Sequence, residues 1–141
     1  MSSQTEIPDS FIGKYEMVGS ECLMEFLMQV GLGMIERMDM AGSSLTFEII
    51  KEENNYYKFK WKNDHSSWES RFRVNHEFNE RHFDVRPVKS WIFVGGNTLF
   101  YVQQDETYVV KNVMEIINDE IYLRSYIDQV RALQIFKRVK Y

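Results

Sequence analysis

An all-β fold is what this sequence predicts, on three observations. Polar and apolar residues alternate in run after run, turn residues punctuate those runs at short intervals, and one helical segment interrupts them early. After a polar leader, residues 1–10, FIGKYEMVGS reads as a short strand with Phe11 packing at its entry. The helical segment is SECLMEFLMQVGLGMIERMDMAG, in which Leu23, Phe26, Leu27 and Val30 fall at i, i+3, i+4 and i+7 and form one apolar face. Ser20 is the expected N-cap, with Glu21 just inside it where an acid suits the helix dipole. The glycines from Gly31 to Gly33 should break the helix, because glycine disfavours helix interiors. A second short helix, MIERMDM, should then end near Gly42, which gives helix, turn, helix.

Everything beyond reads as strand. YYKFKWK puts Tyr57, Phe59 and Trp61 on one face and Lys58, Lys60 and Lys62 on the other, a stripe expected to be a solvated outer surface. SWESRFRV sets Ser70, Phe72 and Val74 opposite Arg71 and Arg73. Further strands are expected at RHFDVR, VKSWIFV, TLFYVQQ, TYVVKNVMEII, EIYLRSYI and VRALQIFKRV, separated by turn signals such as KEENN, KNDHS, NHEFN, GGN and IND. One strand, a helical hairpin and about nine further strands is an odd order for a sandwich. It suits an antiparallel up-and-down sheet closed into a barrel, since closure removes exposed edges, and two short helices after the first strand are placed to cap the open end. With no linker or repeat, 11–141 is expected to be a single barrel domain.

Composition narrows the function. A formal net charge of -4 argues against nucleic acid as a partner and gives little reason to expect avid binding to anionic membranes. A lone cysteine, Cys22, rules out an internal disulfide, and it joins His65, His76 and His82 in no recognised metal-ligand spacing. His76 and His82 read as surface or strand residues, and neither a metal nor a cofactor is expected. The start, MSSQTEIPDS, has no secretory pattern, and no apolar run approaches the roughly 20 residues of a membrane helix. The expected place is the cytoplasm, with nuclear entry open and no stable membrane insertion. No nucleophile elbow, phosphate-binding glycine loop or Cys–His motif is present, so no enzyme is expected.

Several strand faces mix apolar and polar residues: Tyr101 with Gln103, Asn112 with Met114, Leu123 with Ser125, and Ala132 with Gln134 and Phe136. In a dry core each unpaired amide would lose about 1–3 kcal/mol, whereas a wet pocket would satisfy it with water or ligand. The alternative is that some of these faces look outward, because one sequence does not fix strand register.

The chain resembles the intracellular lipid-binding proteins, the fatty-acid-binding and cellular retinoid-binding family. FIGKYEMVGSE followed by FLMQVGLG is similar to that family's opening, and VKSWIFVGGNTLFYVQ and QIFKRV to its later hairpins and closing strand. Where members show Asn-Phe-Asp, this chain has Cys22, Leu23 and Met24. The resemblance implies a ten-stranded antiparallel barrel, lipocalin-like, with a helix-turn-helix lid and one lipid inside. It implies a portal around Met34 to Met40, the turn near His65, and the Arg86–Pro87 turn. Leu23, Phe26, Leu27, Met34, Met38, Met40 and His65 are the expected lid and portal residues.

Fatty-acid-binding members grip the carboxylate with two arginines and a tyrosine, whose places here are taken by Met114, Gln134 and Phe136. Gln followed two residues later by Phe is similar to the last strand of the retinol-binding branch, although that branch has a glutamine where this chain has Met114. Burying each CH₂ of an acyl tail is worth roughly 0.8 kcal/mol, so the tail supplies most affinity. An ionised carboxylate buried without a cation costs several kcal/mol, while the Gln134 amide suits a hydroxyl, ester or amide head. Asp84 and Arg86 share an expected inner face, which makes Arg86 a candidate substitute cation; a solvated turn arginine balanced by Asp84 is the other reading. The expected ligand contacts are thus Gln134, Phe136, Met114, Tyr101, Gln103, Asn112, Leu123, Ser125, Arg86 and Asp84.

Six of the eight methionines lie between Met17 and Met40, where a soft lid could repack around varied lipids or simply fill a core. The only basic residue of the lid is Arg37, near Glu36 and Asp39, which disfavours lysine-driven collision with membranes. The function expected is a monomeric carrier of one long-chain fatty acid or similar small hydrophobic ligand. A neutral lipid such as retinol or a monoacylglycerol is the alternative cargo, and an interaction barrel with a filled core is the alternative of another class.

Overall fold

The computed structural model describes residues 4–42, 44–83 and 86–140. Among them are ten strands, two α-helices and a short 3-10 turn at Asp9–Phe11. The first strand, β1 (Gly13–Glu21), leads into α1 (Leu23–Val30) and α2 (Met34–Gly42). There follow β2 (Thr46–Lys51), β3 (Tyr56–Lys62), β4 (Ser67–Arg73), β5 (Phe78–His82), β6 (Arg86–Gly95), β7 (Thr98–Gln104), β8 (Val109–Ile117), β9 (Glu120–Ile127) and β10 (Val130–Arg138). Each strand pairs antiparallel with its sequence neighbours except β4 with β5, and β1 pairs β10, so one ladder runs from β4 through β1 and β10 round to β5. This is the all-β barrel with a helical lid that the alternating pattern predicts.

Tight turns set the register. Asn54 and Asn55 between β2 and β3, and Asn118 and Asp119 between β8 and β9, all have positive φ (52–66°). Paired left-handed residues give the twist that a two-residue hairpin requires, and Asn and Asp tolerate it best. β1 carries a bulge between Met17 and Gly19 that turns Val18 out to solvent. A bulge bends its strand, which lets β1 serve both β2 and β10.

Three details differ from the sequence reading. The helix N-cap is Cys22, left-handed at φ 56° and without a side-chain cap, not Ser20. Ser20 and Glu21 stay extended because they pair with Gln134 and Leu133 of β10. The run RHFDVR is not one strand: β5 ends at His82, Phe83 adopts φ 53°, and β6 starts at Arg86. Conversely, Phe78 and Asn79, taken as turn, belong to β5.

The lid closes one end through the apolar face of α1, where Leu23, Phe26, Leu27 and Val30 are all buried. Gly31 ends that helix at φ 102°, with Leu32 N–H donating back to the Leu27 carbonyl at 3.1 Å. The opposite end is plugged by Ile7, Phe11 and Tyr15, all buried, with Ile7 N–H donating to the Tyr57 hydroxyl at 3.1 Å. There Arg138 donates to the Ile12 carbonyl at 2.8 Å and lies over the Tyr15 ring. Burial pushes the Tyr15 phenol up to about 12.

Candidate functional site: a polar belt inside the barrel

Alternation along each strand sends every second side chain inward. Most of the inner wall is apolar, with Phe47, Phe59, Phe72, Ile92, Leu99, Val110 and Ile121 fully or nearly fully buried. Set into it are Ser70, His82, Ser90, Gln103, Asn112, Ser125 and Gln134, each at most 6% exposed. No buried side-chain nitrogen or oxygen among the described residues lacks a partner. The interior is therefore wired, not a core with stray amides.

The wiring converges on Glu80 of β5. Its carboxylate accepts from the Ser70 and Ser90 hydroxyls, from the Tyr101 hydroxyl, and from Gln103 Nε2 at 3.2 Å. Gln103 Oε1 accepts from Asn112 Nδ2 at 2.9 Å, and Asn112 Oδ1 accepts from the Ser125 hydroxyl at 2.6 Å. A belt of hydrogen bonds thus runs from β4 across β5, β6, β7 and β8 to β9. Burial, reinforced by the Glu80 carboxylate, raises the Tyr101 phenol well above its usual range. Gln134 stands on the next strand, its side-chain nitrogen 3.5 Å from Met17 Sδ.

A cavity of ≈ 40 Å³ remains between these groups. It is bordered by Met40, Leu45, Trp61, Trp68, Tyr101, Gln103, Asn112, Met114, Leu123, Ser125 and Gln134, and at the β5 side by Glu80, Arg81, His82 and Phe83. That is room for on the order of three waters, against about 300–1,000 Å³ for pockets that hold drug-sized ligands. A long-chain ligand must therefore turn side chains aside. Trp61 and Trp68, stacked on each other with centroids 6.4 Å apart, are half-buried and line that cavity together with Met40 of the lid.

Of the residues singled out in the sequence, Tyr101, Gln103, Asn112, Met114, Leu123, Ser125 and Gln134 are brought together on this wall. Phe136 is buried beside it, packed on Phe47 and Trp61. Arg86 is elsewhere: at the rim, Nε lies 2.7 Å from Asp105, Nη1 donates to the Val30 carbonyl at 2.8 Å, and Nη2 reaches Thr107 Oγ1. It ties the end of α1 to the β7–β8 turn instead of facing a head group. Desolvation works against ionisation of Asp105, but hydrogen bonds from Thr107 and Tyr108, with Arg86 beside it, hold its carboxyl below the usual range. Asp84 lies outside the described residues.

Among the lid and portal residues, Leu23, Phe26 and Leu27 face the barrel and Met40 reaches the cavity. Met34 and Met38 face solvent at 65% and 60% exposure, and His65 is an exposed residue 3.6 Å from Asp39. His82, read as a surface or strand residue, ends β5 and faces inward. It is buried against Phe83, with Nδ1 3.0 Å from the Tyr108 hydroxyl, and burial lowers its pKa to about 3. Sequence reasoning missed Glu80, Ser90 and His82 as inner residues; the signal was the alternation Phe78, Glu80, His82, hidden once the strand was read as a turn. No cluster of His, Cys, Asp and Glu fit for a metal occurs among the described residues.

No family model matches the chain. Its sequence is similar to a fatty acid-binding protein of Lepidoglyphus destructor, 27% identical over 126 residues that cover 89% of this chain and 95% of that protein. It is also similar to cellular retinoic acid-binding protein 2 of Mus musculus, 28% identical over 92% of this chain and 98% of the relative. In fold it matches the Schistosoma mansoni fatty acid binding protein solved in complex with arachidonic acid, with a TM-score of 0.89, 20% identity, and coverage of 95% and 99% of the two chains. These likenesses support the resemblance of this chain to the intracellular lipid-binding proteins.

Proposed function

We propose, taking the chain as a member of the intracellular lipid-binding family, that it carries one long-chain fatty acid or similar hydrophobic molecule inside the barrel. Its task on this reading is solubilisation and transport, not catalysis. The observation that carries the proposal is a lidded barrel whose inner wall combines aromatic and aliphatic surface with a buried polar belt. The apolar wall suits an acyl tail, at roughly 0.8 kcal/mol for each CH₂ buried, and the belt suits a polar head. We take the carrier to be a single-domain monomer of the cytoplasm, able to visit the nucleus, with no nucleic-acid partner. No helix among the described residues is long and apolar enough to cross a membrane.

Native mass spectrometry tests the reading. Delipidated protein offered equimolar oleic acid, retinol and a monoacylglycerol should take up one ligand per chain. Uptake of none of the three would sink the carrier and favour an interaction barrel with a filled core.

A further inference from the structure

The belt has a direction, and Glu80 sets it. A carboxylate that accepts every hydrogen bond it makes forces Gln103 to turn its NH₂ toward Glu80 and its carbonyl toward Asn112. Asn112 must then give its NH₂ to Gln103 and present its carbonyl to Ser125, which leaves Ser125 as the donor. Each donor along the line points toward Glu80 and is used up. What the far end offers the cavity is the Ser125 oxygen as an acceptor. A ligand head that meets this end finds its partner by donating a hydrogen bond.

Charge points the same way. No lysine or arginine is buried among the described residues. Arg81, the one arginine or lysine bordering the cavity among the described residues, is exposed and sits at the outward-alternating position of β5, between the inward Glu80 and His82. Arg86 is engaged with Asp105 at the rim. An ionised fatty acid head would therefore meet a wall that carries the half-buried Glu80 carboxylate and no buried cation, where like charges repel. A hydroxyl head brings no charge and supplies the missing donor, and the Gln134 amide on the neighbouring strand can bond its oxygen or an ester carbonyl.

We propose that Glu80 fixes the head-group preference of the barrel: it takes lipids with an uncharged, hydrogen-bond-donating head, such as a fatty alcohol or a glycerol monoester, and rejects the ionised carboxylate. The proposal rests on the carrier reading and narrows its cargo. Glu80 acts at a distance, as the group that orients the belt and supplies the repelling charge, while Ser125 and Gln134 meet the head.

Displacement of a bound fluorescent hydrophobic probe by chain-matched oleyl alcohol, monoolein and oleate at mildly alkaline pH tests it. Wild-type protein should bind the two neutral lipids at least about tenfold tighter than oleate, the equivalent of one pKa unit. Glu80→Gln should narrow that gap by strengthening oleate several-fold, and Ser125→Ala should weaken oleyl alcohol more than it weakens oleate. Because the wild-type ratio is itself a test, the proposal stays exposed even if Glu80→Gln does not fold. Oleate binding as tightly as the alcohol, or a gap unchanged in both variants, overturns the proposal and leaves the carrier standing. Oleate preference abolished by Arg81→Ala would also overturn it and name that border arginine as the cation. Binding of none of the three lipids removes the carrier reading and this proposal together.

Discussion

His82 shows how one buried side chain sets a property of the whole chain. Its ring packs 4.1 Å from Phe83, Nδ1 meets the Tyr108 hydroxyl at 3.0 Å, and burial lowers its pKa from 6.5 to about 3. The nearby Asp105 carboxylate pulls upward and the Arg86 guanidinium downward, but desolvation dominates. Between those two pKa values the unfolded chain binds a proton at this position that the folded chain does not. Stability should thus be whole above pH 6.5 and decline as pH falls toward 3, at up to about 1.4 kcal/mol per pH unit. Asp105, held below the usual carboxylate range, adds its own loss as pH falls through 3.8. Urea midpoints measured across this window should fall with acidification, and His82→Gln should flatten the decline; a wild-type profile already flat there would mean the imidazole is not isolated from water. At this scale the sequence was half legible. Asn112, Ser125 and Gln134 announce themselves by standing among apolar residues at strand spacing. Glu80 and His82 do not, because β5 is only five residues long and its neighbours Asn75, His76 and Glu77 carry turn chemistry that masks where the alternation starts.

Among the elements, the helical lid was legible from its 3.6-residue period and from Gly31, whose φ of 102° few other residues would accept. Its start was not, since the pairing of Ser20 and Glu21 with β10 is a long-range event that local capping preferences do not reveal. What holds the lid down was also invisible: Arg86, 56 residues beyond Val30, donates to that residue's carbonyl while its Nε bonds Asp105. This one side chain joins the end of α1 to the β7–β8 turn, and removing it leaves a helix-end carbonyl without its donor. Arg86→Ala should lower global stability by only about 1 kcal/mol, because the guanidinium is partly exposed and its ion pair is screened. The local effect should be larger. Hydrogen exchange in the last turn of α1 should speed up, and ligand entry and exit by stopped flow should both accelerate several-fold with little change in Kd. A variant that weakens binding by raising the exit rate alone would instead place Arg86 in contact with cargo.

For the molecule as a whole, the tension lies between a nearly filled interior and a long ligand. The ≈ 40 Å³ cavity holds far less than an acyl tail, so the barrel must expand, and the question is where expansion costs least. Along nine of the strand junctions a backbone ladder resists it. At the edges, β4 and β5 face each other through side chains: the Ser70 hydroxyl donates to Glu80, and Phe72 stacks on Phe78 with centroids 5.3 Å apart. Parting these strands breaks those contacts but no ladder among the described residues, and each such contact is worth only about 0.5–1.5 kcal/mol. The barrel should therefore open along this seam, with Trp61, Trp68 and the lid residue Met40 turning away from the cavity. Phe78→Ala probes the idea directly. It should reduce stability by about 2 kcal/mol, less than a fully buried phenylalanine would because Phe78 is only half-buried. It should also raise the rate of ligand uptake, since the tail finds space already cleared beside the belt. Amide exchange with and without ligand locates the motion independently. If the ligand changes protection along β4, β5 and α2 while β7 to β9 stay unchanged, the seam is the hinge; if protection changes evenly round the barrel, the ladder itself stretches and the β4–β5 edge has no special part in loading.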